Sequence, residues 1–176
     1  LLLSNPAGAT IADGLGVAMI GRNDTPLTAT PYVTVTPIAA SEGDTQAHFV
    51  VQLSGPSPNQ VRLSYQTLEG TAGYSPLASA DFQYVTDTIY FAPGETTKVI
   101  PVTLVDNAVA ESTEAFWLSL PSPLNAVIGQ RYTPVLIYDN DGTPGTPAIS
   151  VADVTVDESA QRATFFVSLN RPSLST

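Results

Sequence analysis

The chain repeats its own pattern at a spacing of about 117 positions, and this self-similarity restricts its possible folds more than any other feature. Residues 1–24 match residues 118–141 without gaps, and residues 33–56 match residues 149–172 at a spacing of 116. The matched pairs include Leu3 with Leu120, Pro6 with Pro123, Ile11 with Ile128, Asp24 with Asp141, Val33 with Ile149, Phe49 with Phe165 and Leu53 with Leu169. Self-similarity at a fixed period is the signature of repeated structural units. The pattern therefore predicts the tail of one unit, one whole unit and the head of a third.

This repeat divides the chain into five parts. They are C-terminal strands of a preceding repeat (1–24), a linker (25–30), a complete domain (31–141), a second linker (142–147) and N-terminal strands of a following repeat (148–176). A domain of about 110 residues has the common size for a unit with its own core. The flanks are too short for that, and each leaves strand edges open. We therefore predict that the flanks complement each other, by pairing between neighbouring molecules.

The central unit shows apolar residues that alternate with polar ones, and no window has a helical period. Period-two alternation predicts half-buried strands, separated here by turns rich in glycine and proline. The predicted strands centre on Val33–Val35, Phe49–Leu53, Val61–Tyr65, Ile89–Phe91, Ile100–Leu104, Phe116–Leu120 and Val135–Ile137. Seven short strands of this kind predict an all-β fold, an antiparallel seven-stranded sandwich of immunoglobulin-like type.

The charge balance restricts the partners that the chain can bind. Six basic residues against 16 acidic ones give a net charge of −10, whereas nucleic acids and anionic membrane surfaces need a basic footprint. No apolar run is long enough to span a bilayer. We therefore expect no nucleic-acid partner and no membrane insertion, and an affinity for cations instead.

Acidic and amide residues gather at the predicted strand ends. Glu42, Glu69 and Asp81 follow early strands, and more acids occur within 106–114 and 139–141. Alternate strand ends of a sandwich meet at one pole, so several carboxylates should converge there. Their repulsion would cost several kcal/mol without a cation, and Ca²⁺ accepts six to eight oxygen ligands. Solvated loop charges explain the same residues equally well.

Zinc is a poor match for this sequence. Zinc sites use cysteine and histidine ligands, and the chain has no cysteine and one histidine. We interpret His48 as a solvated residue on the outer face of its strand, and Trp117 as packed on a sheet face or under a loop. No motif supplies the histidine with a nucleophile, so we expect no catalytic activity.

An ordered set of motifs runs through the central unit. In chain order they are Ser41-Glu42-Gly43-Asp44, Leu53-Ser54-Gly55-Pro56, Glu69-Gly70-Thr71-Ala72, Ala80-Asp81-Phe82, Phe91-Ala92-Pro93-Gly94-Glu95-Thr96, Asp106 through Glu111 to Glu114-Ala115-Phe116, and Ile137-Tyr138-Asp139-Asn140-Asp141. With these motifs the chain resembles the Calx-β domain family of sodium–calcium exchangers and many bacterial surface proteins. The resemblance covers the central unit and both flanks. It implies a sandwich that binds calcium at one pole, near the junction with the next domain.

The resemblance also implies which residues hold the calcium. The implied ligands are Glu42, Asp106, Glu111, Glu114, Asp139 and Asp141, with the backbone carbonyl of Val109 and with Glu69 at a position where the family usually has aspartate. Asn107 and Asn140 occupy positions that are acidic in strongly binding members. Each amide still offers an oxygen but removes a charge, so we expect one or two weakly bound ions, or none.

Together these features predict a non-catalytic module of a large extracellular protein, of bacterial origin and secreted or on the cell surface. It would act as a calcium-stiffened spacer or adhesion segment whose partners are adjacent Calx-β repeats or another copy of the chain. The alternative is an accessory carbohydrate- or protein-binding module of a secreted polysaccharide-active enzyme, with Trp117 or the tyrosines Tyr74, Tyr84 and Tyr90 touching the sugar.

Overall fold

The computed structural model describes residues 1–21, 30–74, 80–141, 146–157, 161–171 and 173. These residues form strands, turns and loops and contain no helix long and apolar enough to cross a membrane. The two predicted linkers lie largely outside the described residues.

Strands occur in both the flanks and the central unit. In chain order they are β1 (Thr10–Asp13), β2 (Ala18–Gly21), β3 (Tyr32–Ile38), β4 (Ala40–Ser41), β5 (Gln46–Leu53), β6 (Val61–Leu68), β7 (Gly73–Tyr74), β8 (Ala80–Phe82), β9 (Thr86–Phe91), β10 (Thr97–Thr103), β11 (Glu114–Ser119), β12 (Pro123–Leu124), β13 (Val127–Ile128), β14 (Tyr132–Tyr138), β15 (Ala148–Val151), β16 (Val154–Asp157) and β17 (Val167–Leu169). Each strand predicted from the alternation overlaps one of the longer strands. The two-residue strands had no such signal because a period needs several residues to show.

The central unit is a sandwich of two sheets, which confirms the predicted fold class. One sheet has the order β10-β5-β3-β13, and the other the order β12-β6-β11-β14-β4, with β9 on the opposite edge of β6. The pairings between long strands are antiparallel. Pro101 lies in β10, an edge strand, where its missing N–H costs no ladder hydrogen bond.

The first strand of the domain crosses from one sheet to the other. β3 pairs with β5, whereas β4, which begins two residues after β3 ends, pairs in parallel with β14. Because of this crossing, β4 lies beside β14, the last strand of the domain, and the two strands are parallel. The sequence predicted an antiparallel sandwich, so this pair differs from the prediction. The crossing also places Glu42, the residue after β4, at the end of β14.

Aromatic side chains fill the space between the sheets. The Phe82 ring stacks on Phe116 at a centroid distance of 4.2 Å, and Phe49 meets Phe116 edge-on at 5.8 Å. All three side chains are fully buried. Inward positions of β5, β6, β10 and β11 alternate with more exposed ones, as the period-two pattern predicts.

The two flanks pair with each other within one molecule. β1 and β17 lie on either side of β15, and β2 pairs in parallel with β16. The registers repeat those of the central unit at the same sequence spacings: Thr10–Ala148 matches Val127–Tyr32, Ile11–Ile149 matches Ile128–Val33, Ile20–Val156 matches Ile137–Ala40, and Ile149–Leu169 matches Val33–Leu53. The flanks thus complement each other in the chain itself; pairing between molecules stays a prediction.

Two side chains differ from their sequence interpretation. His48 lies on the outer face of β5, but the flank residue Phe166 covers it at a ring distance of 4.8 Å. The side chain is therefore half-buried, and desolvation lowers the pKa of its imidazole. Trp117 lies on the outer face of its sheet, opposite Leu68 and Pro134, and remains 38% exposed.

Candidate metal centre

Carboxylates from separate parts of the chain meet at one pole of the central sandwich. Glu42 reaches this pole because its backbone N–H donates to the carbonyl of Tyr138 (2.8 Å), which anchors the turn after β4 to the end of β14. Asp81 arrives on β8, and Glu114 begins β11. Glu42 and Asp81 are 2% and 3% exposed, so the centre of the cluster is withdrawn from water.

Glu42 belongs to two groups of three carboxylates. In one group its oxygen lies within 4.8 Å of oxygens of Asp81 and Glu111, and in the other within 4.8 Å of oxygens of Asp139 and Asp141. Oxygen atoms at these separations can bind one ion together. Glu42 would therefore be a shared ligand of two adjacent cation positions.

Burial and mutual repulsion raise the pKa of two of these acids. Desolvation is the main cause that raises the pKa of Glu42 to about 7, and the charges of Glu111, Asp141 and Asp106 add to it. The pKa of Glu114 is also raised to about 7, first by desolvation and then by the charge and hydrogen bond of Asp81. The pole without an ion therefore takes up protons near neutral pH, as a crowded anionic site should.

Neutral amides contact the carboxylates at this pole. Glu42 Oε1 accepts hydrogen bonds from the backbone nitrogen (3.0 Å) and Nδ2 (2.7 Å) of Asn107. Asp106 Oδ1 accepts one from Nδ2 of Asn140 (3.1 Å). The ion pair seen in the described part of the chain joins Lys98 to Glu95, outside this cluster.

The structure brings together most of the ligands implied by the family resemblance. Glu42, Glu111, Asp139 and Asp141 form the two groups above, and Glu114 contacts Asp81 beside them.

The remaining implied ligands lie at the margin of the cluster. Asp106 is exposed, and its Oδ1 accepts a hydrogen bond from Nδ2 of Asn140. Glu69 is exposed and lines the neighbouring cleft together with Glu111 and Glu114. Val109 is 60% exposed, and its backbone N–H donates a hydrogen bond to Asn107 Oδ1 (2.7 Å).

Asp81 is the site residue that the implied ligand set omitted. Its carboxylate is held by the backbone N–H of Gly73 (2.7 Å), and its carbonyl accepts from Val105. One sequence feature could have identified Asp81 as a site residue: in the motif Ala80-Asp81-Phe82 it lies between two apolar residues. An aspartate there is buried, and a buried aspartate needs partners or a cation.

The chemistry of the cluster fits a hard cation. Carboxylate and amide oxygens are the donors within reach, and neither histidine nor cysteine takes part. Asn140 also carries a buried Oδ1 atom with no hydrogen-bond partner, which is an available ligand oxygen. Calcium prefers this donor set and tolerates the irregular geometry of loops.

Comparisons with known proteins agree with the fold. A sequence profile of the Calx-beta domain matches residues 28–141. Sodium/calcium exchanger 1 of Rattus norvegicus is 29% identical over 117 residues, which is 62% of this chain and 11% of the exchanger. The exchanger of Canis lupus familiaris is 33% identical over 76 residues, or 43% of this chain and 7% of the exchanger. The chain thus spans about a tenth or less of the length of these relatives.

Solved structures show the same fold. The crystal structure of the apo form of the Calx CBD1 domain matches with a TM-score of 0.54 and 22% identity, over 62% of this chain and 98% of that one. The crystal structure of CBD12 from CALX1.2 matches with a TM-score of 0.55 and 23% identity, over 62% and 44% of the two chains. The profile match covers more than half of the chain and the structures share its sandwich. The chain therefore belongs to the Calx-β domain family.

Proposed function

We propose that the central unit binds calcium at the carboxylate pole and that the bound ion stabilises the pole. The observation that carries this proposal is the pair of three-carboxylate groups that share the buried Glu42. A buried carboxylate surrounded by others is unfavourable when ionised, and a divalent cation removes that penalty. The relatives support calcium as the ion, because they are named sodium/calcium exchangers and one similar structure is described as a calcium binding domain.

Melting curves with calcium and with a chelator test this proposal. A ligand at 100 times its Kd stabilises the folded state by about 2.7 kcal/mol, which raises the melting temperature of a domain this size by roughly 10 °C. Equal melting temperatures in millimolar calcium and in chelator would reject calcium binding.

Two conservative variants separate the ion positions. Glu111→Gln alters the group with Asp81, and Asp139→Asn alters the group with Asp141. Calorimetric titration should show each variant losing one class of ion while retaining the other. Glu95→Gln is the matched control, since Glu95 pairs with Lys98 outside the pole. Unchanged titrations for both site variants would contradict the assignment.

At the level of the whole protein, the proposed role is a non-catalytic spacer or adhesion segment of an extracellular protein, built from successive Calx-β units. Support comes from the flanks, whose strand registers repeat those of the central unit and so fit neighbouring units of one kind. Small-angle X-ray scattering of a protein with two complete units tests the role. If calcium stiffens the junction between the units, the range of maximum particle dimensions that fits the scattering should be narrower in calcium than in chelator. Antibody labelling of intact cells tests the location.

A second candidate is an accessory module that binds carbohydrate. The supporting observation is that Trp117 and Tyr90 are 38% and 50% exposed, both on strands of the same sheet. Aromatic faces of this kind can stack on sugar rings. Titration of tryptophan fluorescence with polysaccharides tests it, and an unchanged spectrum would count against this role.

A further inference from the structure

We propose that the side-chain amide of Asn107 acts as a hydrogen-bond donor that competes with the ion, and not as a ligand of it. The part of this inference that concerns affinity rests on the proposed calcium binding. The part that concerns the ion-free protein does not.

The first observation is the direction of the amide bonds. Asn107 presents Nδ2 to Glu42 Oε1 at 2.7 Å, and its backbone nitrogen reaches the same oxygen at 3.0 Å. Its Oδ1 is already used, because it accepts the backbone N–H of Val109 at 2.7 Å. A carboxylate offers no hydrogen when ionised, so an amide beside it must turn its NH₂ group inward. Asn107 therefore faces the cluster with partial positive charge.

The second observation is the different arrangement at Asn140. Its Nδ2 donates to Asp106 at 3.1 Å, while its Oδ1 is buried without a partner. The residue lies between Asp139 and Asp141, whose carboxylates share one ion group with Glu42. The oxygen of Asn140 is thus available to an ion, whereas the oxygen of Asn107 is already used by the backbone N–H of Val109.

The consequence is a pole that is partly neutralised before an ion arrives. Hydrogen bonds to charged groups are stronger than hydrogen bonds between neutral groups. An ion that takes Glu42 Oε1 must displace the Nδ2 bond of Asn107, and the loss of that bond weakens the binding of the ion. Asn107 therefore orders the pole in the absence of calcium and weakens the binding of calcium.

Alanine variants distinguish a competing donor from an oxygen ligand. If the amide competes, Asn107→Ala should bind calcium about tenfold more tightly, since one charged hydrogen bond no longer has to be broken. If the amide oxygen is a ligand, the same variant should bind more weakly. Asn140→Ala is the contrasting variant, because it removes a buried oxygen that has no hydrogen-bond partner, and it should bind calcium more weakly. Asn59→Ala, an exposed amide away from the pole, is the control.

Melting in chelator at pH 8 gives a readout that does not depend on calcium. Asn107→Ala should melt several degrees below the wild type there, because Glu42 loses a donor, while Asn59→Ala should not. Weaker or unchanged calcium binding in Asn107→Ala would overturn the competing role. If the wild type binds no calcium, the proposed function fails. The inference is then tested by melting in chelator alone, and equal melting temperatures for Asn107→Ala and the wild type would overturn it.

Discussion

Replacing Glu42 by glutamine should stabilise the ion-free domain at alkaline pH. The carboxyl group is 2% exposed, and desolvation together with the charges of Glu111, Asp141 and Asp106 raises its pKa from 4.5 to about 7. One pKa unit corresponds to about 1.4 kcal/mol, so the ionised carboxylate costs the folded state on the order of 3 kcal/mol at pH 8. Glutamine removes the charge and keeps an acceptor for Asn107.

The sign of the pH dependence follows from the raised pKa. The folded protein holds a proton on Glu42 between about pH 4.5 and pH 7, where the unfolded chain has released it. The stability of the wild type therefore decreases as pH rises through this window, and Glu114 adds a contribution of the same sign. The advantage of Glu42→Gln should be about 1–3 kcal/mol at pH 8 and less than about 1 kcal/mol at pH 5.

Urea unfolding in chelator at pH 5, 6, 7 and 8 measures this difference. Asp87→Asn is the control for loss of one negative charge, because Asp87 is exposed on β9 and its oxygen accepts the N–H of Thr88, which asparagine preserves. In calcium the wild type should be more stable than Glu42→Gln, because the variant lacks the carboxylate that the two ion positions share. A variant that is less stable than the wild type in chelator at pH 8, or a gap that does not shrink toward pH 5, would refute the reasoning.

Three further outcomes concern packing. Phe116→Ala should lower the free energy of unfolding by about 3–5 kcal/mol in urea, because it removes the ring on which Phe82 stacks. Gly70→Ala should cost about 1–3 kcal/mol in the same assay, since a Cβ there would meet the carbonyl oxygen of Ala115. Gly16→Val should expose the flanks to limited proteolysis without changing the melting of the central domain, as its side chain would displace flank residues.

The strands of the central unit were predictable because each one carries its own signal. The alternation of Phe49, Val51 and Leu53 requires only that one face of a strand be buried, and these residues are buried in β5. The short strands β4 and β8 were not predictable in this way. β4 forms because β14 offers it an edge, and β8 forms by pairing with the short strand β7 and by a bridge from Phe82 to Leu104.

The candidate site was predictable in part. The acids after the last strand, Asp139 and Asp141, carried a clear motif, and the structure places both near Glu42. Asp81 had a motif but was not among the implied ligands, and its burial follows from the contact of β8 with the core. The amide oxygen expected of Asn107 is replaced by an amide nitrogen that faces Glu42, whereas Asn140 keeps a buried oxygen without a partner. The direction of an amide depends on its neighbours in space.

The sequence by itself determined the all-β class, the period of the repeat, the unit boundaries that we propose and the family, because hydrophobic alternation and ordered motifs are local properties of the chain. The tertiary structure decided which acids meet, how Glu42 comes to be shared between two groups, and that the flanks pair within one molecule. These features depend on strand ends more than 60 residues apart in sequence, such as the contact of Asn107 with Glu42. Distances of that kind are set by the packing of the two sheets, which no local pattern encodes.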